Sequence, residues 1–174
     1  RAARYLVDYE GMANSFLKGQ MEVHQAFWPK GFPGALTDTP FTYDLEKARQ
    51  ILAEGGVQLP ITVTLDVINA APFNDIAASL QQTFAPAGIN FEILPGTGAQ
   101  VITKYRARTH QAMLLYWGPD FMDPHSNAKA FAYNADNADD KYVSTTTWRN
   151  AWMPPAEINA KTMAALGEQD TATR

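Results

Sequence analysis

Three apolar segments, separated by two segments with helical periodicity, constrain the fold of this chain most strongly. Apolar and polar residues alternate over 61–68, which predicts a β-strand. A helix is predicted over 73–86, a second strand over 90–94, a helix over 100–108 and a third strand over 112–116. Because the connections are short, this order predicts a parallel sheet with helices on its faces, built by right-handed crossovers. The third strand is the most apolar, so we expect it to lie centrally.

The regions before and after this pattern are predicted to combine helices with irregular segments. Residues 2–18 and 44–54 have helical periodicity, and Asp44 is a good N-cap for the second of these helices. The segment 20–43 combines prolines and glycines with aromatic side chains, so we expect an ordered loop that packs on the domain. A last helix is predicted to begin at the end of a largely irregular stretch over 118–155.

The composition fits one globular domain and excludes several classes of site. The 174 residues are 46% apolar and 18% charged, which is typical of a folded domain with its own core. The net charge of −4 disfavours nucleic acid as a partner. There is no cysteine, which excludes disulfides, thiolate metal sites and a cysteine nucleophile. No apolar stretch approaches the ~20 residues that a membrane-spanning helix needs.

Both ends of the chain lie inside helical patterns. The sequence begins at Arg1 within the first amphipathic segment, and residues 168–174 have helical character without a stop signal. No signal peptide is visible at the start. We therefore expect residues 1–174 to be a single domain excised from a longer protein.

The segment after the third strand has the richest chemistry for binding a ligand. In an open parallel sheet, ligands bind beyond the carboxyl ends of the strands. An apolar run ends there in a Gly-Pro pair, and the candidate ligand-binding residues around it are Tyr116, Trp117, Asp120 and Phe121. Trp117 offers a flat apolar wall with one donor, and Asp120 offers a negative charge for a ligand ammonium group. The structural alternative is that Asp120 caps a turn and Trp117 belongs to the core.

Other motifs give weaker indications of function. The Gly-Thr-Gly tripeptide at 96–98 could cradle an anion, but it matches neither the dinucleotide fingerprint nor the P-loop, so a plain turn is favoured. Asp120, Asp123 and His125 are potential metal ligands, but their spacing fits no metal-binding loop, so neither a metal nor another cofactor is predicted. No nucleophile and base motif of an enzyme is present, and enzymatic activity is not predicted.

Three segments resemble the bacterial extracellular solute-binding proteins of family 5, in the same order and with the same spacing. Residues 1–12 resemble the family helix of the type R-x-A-x-x-x-x-I-D-R-x-x-I. Residues 43–56 resemble its helix Y-D-P-E-K-A-K-x-L-L-A-E-A-G, with Leu45 in place of the usual proline, which a helix start tolerates. Residues 117–124 resemble its segment G-W-x-x-D-Y-x-D-P, with Tyr116 where glycine is usual.

The resemblance covers most of the chain to about residue 131 and implies both a fold and a function. The implied fold is an α/β lobe of a type II periplasmic-binding protein, with a parallel sheet core of order 2-1-3 flanked by helices. The implied function is solute capture for an ABC importer, with a peptide or similar small solute clasped between two lobes, of which this chain is the second. In peptide-binding members of the family, the aspartate of the third segment pairs with the α-amino group of the ligand. The resemblance implies this role for Asp120, and it implies that Trp117 lines the same wall of the site.

The resemblance also implies the partners and the location of the full-length protein. The partners are the solute and the membrane permease of the importer, and the protein is expected to be a monomer. Its location is periplasmic or extracellular, either free or lipid-anchored.

The main alternative function is that of an interaction domain without a small-molecule ligand, in which aromatic side chains of 20–43 and 142–152 dock another protein.

Overall fold

The computed structural model describes residues 1–141 and 143–174, which form two compact units. The first unit comprises Arg1–Gln25, Asp38–Lys104 and Thr109–Tyr116, and the second comprises Ala26–Thr37, Tyr105–Arg108 and Trp117–Arg174. The strands are β1 (Ile61–Ile68), β2 (Ile89–Gly96) and β3 (Ala112–Leu114). The α-helices are α1 (Tyr9–Asn14), α2 (Leu45–Glu54), α3 (Phe73–Phe84), α4 (Gly98–Arg106), α5 (Pro124–Ala132), α6 (Thr146–Arg149) and α7 (Ala156–Gly167). Short 3-10 helices lie at Ala2–Tyr5 and Ala85–Ala87.

The first unit contains a three-stranded parallel sheet of order β2-β1-β3, which confirms the predicted order 2-1-3. β1 and β2 pair along their whole length, starting with Ile61 opposite Ile89. β3 is shorter than predicted and pairs only with residues 65–67 of β1. The expectation that the third strand is central is wrong for the described sheet, because β1 has a partner on each side.

Helices cover both faces of the sheet, as the alternating pattern predicts. Leu65 and Val67 pack with Ala77 of α3, and all three side chains are buried. Because neighbouring residues of a strand point to opposite faces, Asp66 lies on the other face of β1. There its carboxylate accepts a hydrogen bond from the ammonium group of Lys104 in α4. Successive crossover helices therefore lie on opposite faces, as in doubly wound folds.

The amino-terminal segment does not form the single helix predicted over 2–18. The 3-10 helix ends at Tyr5, and α1 begins after Asp8, whose carboxylate accepts from the backbone N–H of Gly11 at 2.9 Å. An Asp side chain in this position satisfies an N–H group at a helix start and so favours a new helix over a continuous one. Gly11 permits this cap, because a Cβ atom there would collide with the Asp8 carboxylate.

Two further differences concern the carboxyl-terminal part of the chain. The predicted irregular stretch 118–155 contains α5, which begins after Asp123; this side chain accepts from the N–H of His125 at 2.8 Å. An Asp N-cap followed by Pro124 is a recognised helix start, so this signal was present in the sequence. The helical character predicted for 168–174 is wrong, because α7 ends at Gly167.

The aromatic loop 20–43 packs on the folded chain, as expected. In the first unit, the ring of Phe41 meets that of Tyr5 edge-on, with ring centroids 5.4 Å apart. In the second unit, the ring of Phe27 lies 5.9 Å from that of Phe131 in α5. Both ends of the loop are thus held by specific contacts. Across the described parts of the chain, no helix has both the length and the apolar character needed to cross a bilayer.

Candidate functional site

The segments that follow β1 and β3 each contribute one aromatic side chain to a pair near the carboxyl end of the sheet. Tyr116, one of the predicted ligand-binding residues, stacks on Phe73 at the start of α3, with ring centroids 5.8 Å apart and an interplanar angle of 29°. Tyr116 is nevertheless 74% exposed, so most of its ring remains available to a ligand. Sequence reasoning did not identify Phe73, although it directly follows the loop where ligands of parallel sheets bind.

The loop after β2 forms a capped helix start. The backbone N–H of Thr97 donates to Oε1 of Gln100 at 2.9 Å, and the N–H of Gln100 donates to Oγ1 of Thr97 at 3.3 Å. This reciprocal arrangement is a capping box, which the spacing Thr-x-x-Gln indicates in the sequence. It occupies two of the N–H groups that an anion cradle would need, and thereby supports the interpretation of 96–98 as a turn.

A groove with a buried carboxylate lies beside the end of β2. It has a volume of about 550 Å³ and is lined by Asp66, Leu94, Pro95, Gly96, Ala99, Gln100, Val101, Thr103 and Lys104. Asp66 is only 3% exposed. Lys104 donates to its Oδ1, whereas its Oδ2 is buried without a hydrogen-bond partner among the described residues. Sequence reasoning missed this ion pair because the partners are 38 residues apart.

Trp117, in the second unit, is fixed by two contacts with α5. Its indole N–H donates to Oδ1 of Asn127 at 3.2 Å, and its ring meets that of Phe131 edge-on, with centroids 5.3 Å apart. Asn127 is 2% exposed and also donates to the carbonyl of Phe27 at 2.6 Å. The single donor of Trp117 is therefore used within the protein, while 42% of the residue stays exposed as an apolar wall.

Asp120 and Phe121 lie on the exposed segment that leads into α5. The backbone N–H of Asp120 donates to Oγ of Ser126 at 3.1 Å, which fixes the chain at this point. The carboxylate of Asp120 is exposed and forms neither a hydrogen bond nor an ion pair with the residues that the structure describes. Phe121 is 56% exposed. This segment therefore presents an unpaired anion beside apolar surface, which is suited to an ammonium group carried on an apolar chain.

The potential metal ligands are used in other ways or lie apart. Asp123 caps α5 and accepts from the guanidinium of Arg174, and these hydrogen bonds hold the pKa of its carboxyl below the usual range. His125 is buried. Over residues 1–141 and 143–174, no group of three or more His, Cys, Asp or Glu side chains is placed to hold a metal ion.

The aromatic residues that would support protein docking differ in exposure. Trp148 is 3% exposed and donates its indole N–H to the carbonyl of Ala138 at 3.1 Å. The guanidinium of Arg108 lies over its ring, 4.6 Å from the ring centroid. Trp152 is 49% exposed and Phe27 is 48% exposed. Tyr142, which belongs to the predicted docking segment 142–152, lies outside the described residues.

Comparisons with known proteins agree with the resemblance seen in the sequence. The family described as bacterial extracellular solute-binding proteins, family 5 Middle, matches residues 1–139. A curated relative, the di/tripeptide-binding protein 1 of Pseudomonas aeruginosa, is 29% identical over 139 residues, which cover 77% of this chain and 25% of the relative. The predicted resemblance to family 5 is thereby confirmed.

Solved structures match nearly the whole chain. The periplasmic binding protein DppA from Helicobacter pylori, in complex with the peptide STSA, has a TM-score of 0.86 at 16% identity over 99% of this chain and 33% of its own. The protein AgaA from A. tumefaciens R10, in complex with agropinic acid, has a TM-score of 0.85 at 20% identity over 99% of this chain and 35% of its own. These structures confirm the type II periplasmic-binding-protein fold. The chain spans about a quarter of the curated relative and about a third of the two solved chains.

Proposed function

Because the chain belongs to the bacterial extracellular solute-binding proteins of family 5, we propose that it forms one lobe of a receptor that captures a small solute for an ABC importer. Residues 1–174 would be a single domain, the second of two lobes that close about a hinge on the solute. The family consists of binding proteins and not of enzymes, and we assign no catalytic step to any residue. The proposed partners are the solute and, through the full-length protein, a membrane permease.

We further propose that the solute is a peptide or another small molecule with an amino group. The similar proteins are described as binding different solutes, namely di- and tripeptides, the peptide STSA and agropinic acid. The observation that favours an amine is the carboxylate of Asp120, which is exposed and has no partner among the described residues. An unpaired anion on a backbone fixed by Ser126 is poised to pair with an ammonium group, as a charge-assisted hydrogen bond.

We propose roles for the three other predicted ligand-binding side chains as well. Trp117 would contact the apolar part of the solute, because Asn127 holds its indole N–H and leaves a face exposed. Phe121 would add apolar contact area in the second unit, because it is 56% exposed. Tyr116, which is 74% exposed, would add apolar contact area in the first unit. We propose that the receptor acts as a monomer in the periplasm or outside the cell, either free or lipid-anchored.

Calorimetric titration of the full-length protein that carries this chain tests the anchor. The probes are the tripeptide Ala-Ala-Ala and its N-acetylated form, which lacks the ammonium group. The variant Asp120→Ala should weaken the binding of Ala-Ala-Ala by about 2–5 kcal/mol. The reason is that the charge pair, which is buried when the lobes close, loses one partner. The acetylated peptide should bind weakly to both proteins.

The matched control is Asp140→Ala, which removes another exposed carboxylate of the same unit. This variant should bind Ala-Ala-Ala as tightly as the wild type does. Equal affinities for wild type and Asp120→Ala would overturn the anchor, and failure of the wild type to bind Ala-Ala-Ala would argue against a peptide solute.

Protein docking is the second candidate function, and the half-exposed Phe27 and Trp152 are the observations that favour it. Light scattering coupled to size-exclusion chromatography separates the two candidates. A full-length monomer whose hydrodynamic radius decreases when solute is added supports the receptor. A monomer that is unchanged by solute and forms a stable complex with another protein, lost in Trp152→Ser, supports docking.

A further inference from the structure

The aromatic loop 20–43 presents an exposed ring in the second unit, to which the proposed function assigns no contact with the solute. This ring is Phe27, which is nearly half exposed, as is Trp117. Both rings contact Phe131 of α5, with centroid distances of 5.9 Å from Phe27 and 5.3 Å from Trp117. Phe131 itself is only partly exposed. Phe27, Phe131 and Trp117 therefore form one contiguous aromatic surface, which we call the aromatic platform.

Contacts with α5 and with a neighbouring ring hold the exposed parts of the platform in place. Asn127 lies one turn before Phe131 on the same face of α5. It accepts from the indole N–H of Trp117 at 3.2 Å and donates to the carbonyl oxygen of Phe27 at 2.6 Å. The ring of Phe27 also meets that of Trp28 edge-on, with centroids 5.7 Å apart. Rings that are already held lose little conformational freedom when a ligand binds, so this surface is suited to binding.

The platform and the carboxylate of Asp120 are held by consecutive residues of α5. The backbone N–H of Asp120 donates to Oγ of Ser126, the residue directly before Asn127. Because Trp117 and Asp120 are three residues apart, their Cα atoms lie within about 11 Å of each other. The start of α5 therefore holds an aromatic surface together with a carboxylate that has no partner among the described residues.

This combination defines the chemistry of the group that fits. Aromatic rings attract another ring, edge-on or offset-stacked, by more than the apolar area accounts for, and an unpaired carboxylate attracts an ammonium group. We propose that Phe27 is a further solute-binding residue, and that the platform takes an aromatic group of an amine-bearing solute, such as a peptide with an aromatic side chain. This inference rests on the proposed capture of a small solute and names the class of that solute.

Fluorine NMR of the full-length protein labelled with 5-fluorotryptophan tests the platform, because the signal of Trp117 reports on its own ring. Trp117→Phe assigns that signal. The probes are 2-phenylethylamine and 2-cyclohexylethylamine, which has the same charge, a similar size and no aromatic ring. 2-Phenylethylamine should shift the Trp117 signal saturably and bind about threefold more tightly than 2-cyclohexylethylamine. The absence of a saturable shift, or equal affinities of the two amines, would overturn the proposal.

Variants of Phe27 locate the contact. Phe27→Ala should weaken 2-phenylethylamine about tenfold and 2-cyclohexylethylamine about threefold, because only the former loses a contact between rings in addition to apolar area. A purely structural role would weaken both amines equally, and that result would overturn the assignment of Phe27. Phe27→Trp should retain the preference for 2-phenylethylamine. The matched control, Trp152→Ala, removes another half-exposed ring of the same unit and should leave both affinities unchanged.

A parallel titration with Ala-Ala-Ala separates this inference from the proposed function. This peptide carries an ammonium group and no aromatic ring, so Phe27→Ala should bind it as tightly as the wild type does. If the wild type binds Ala-Ala-Ala but does not prefer 2-phenylethylamine, the receptor stands and the platform is refuted. If the wild type does not bind Ala-Ala-Ala, a peptide solute is refuted, and the preference between the two amines still decides the platform.

Discussion

The ion pair of Asp66 and Lys104 yields a stability prediction that the structure makes quantitative. The side chain of Asp66 is 4% exposed and that of Lys104 is 39% exposed. One carboxylate oxygen accepts from Lys104, and the other is buried without a partner among the described residues. The ammonium group of Lys104 is therefore what compensates a buried negative charge in the first unit.

Replacement of Lys104 by methionine removes the ammonium group and keeps an unbranched apolar chain. Breaking one partner of a buried ion pair typically costs about 3–5 kcal/mol, and the partial exposure of Lys104 puts the expected loss at about 3 kcal/mol. Replacement of the other partner, Asp66→Asn, should lower the unfolding free energy by less, because the lysine side chain can move its ammonium group into water. The double variant should regain much of the loss of Lys104→Met, since no buried charge remains.

Urea unfolding followed by circular dichroism measures these differences at pH 7. The matched control is Lys47→Met, which removes an exposed lysine from α2 of the same unit and should change the unfolding free energy by less than about 0.5 kcal/mol. The reasoning would be refuted if Lys104→Met behaved like this control, or if the double variant were less stable than Lys104→Met.

Two further predictions concern a turn and the response to acid. Gly88 has φ +84°, and a Cβ atom there would lie 3.2 Å from Cβ of Leu59. Gly88→Ala should therefore lower the unfolding free energy by about 1–3 kcal/mol in the same urea assay. Unchanged stability would show that the turn adapts without strain. Burial lowers the pKa of His125 in the folded state, so the unfolded state binds the proton first as the pH falls below about 6.5. The unfolding free energy should therefore decrease from pH 7.5 to pH 5.5, and this decrease should be smaller in His125→Gln; an equal decrease in both proteins would contradict the assignment.

The sheet could be predicted from the sequence because its signals are local. The alternation over 61–68 matches β1 residue for residue, and Gly88 ends the following helical segment with a positive φ of 84°. Two of the failed predictions concern places where one side chain changes the local structure. Asp8 starts a new helix inside the pattern 2–18, and Asp123 starts α5 in a stretch predicted to be irregular. Both are N-caps, and closer attention to capping would have found them.

The candidate site could be predicted only in part, because much of it depends on contacts between distant residues. The exposed segment with Trp117 and Asp120 follows a strand and was recognised by that position. Asn127 accepts a hydrogen bond from the indole N–H of Trp117 and donates one to the carbonyl oxygen of Phe27, which lies 100 residues away in the sequence. The ion pair of Asp66 and Lys104 likewise joins residues that lie 38 positions apart. No local pattern carries information of this kind.

Native mass spectrometry of the full-length protein, purified without refolding, tests the proposed receptor and its anchor most directly, because it weighs any solute that travels with the protein. If Asp120 anchors an amine, the wild type should carry a peptide or another amine-bearing solute that is absent from the Asp120→Ala variant. An equal amount of the same solute on both proteins, or a solute without any cationic group, would contradict the role of Asp120.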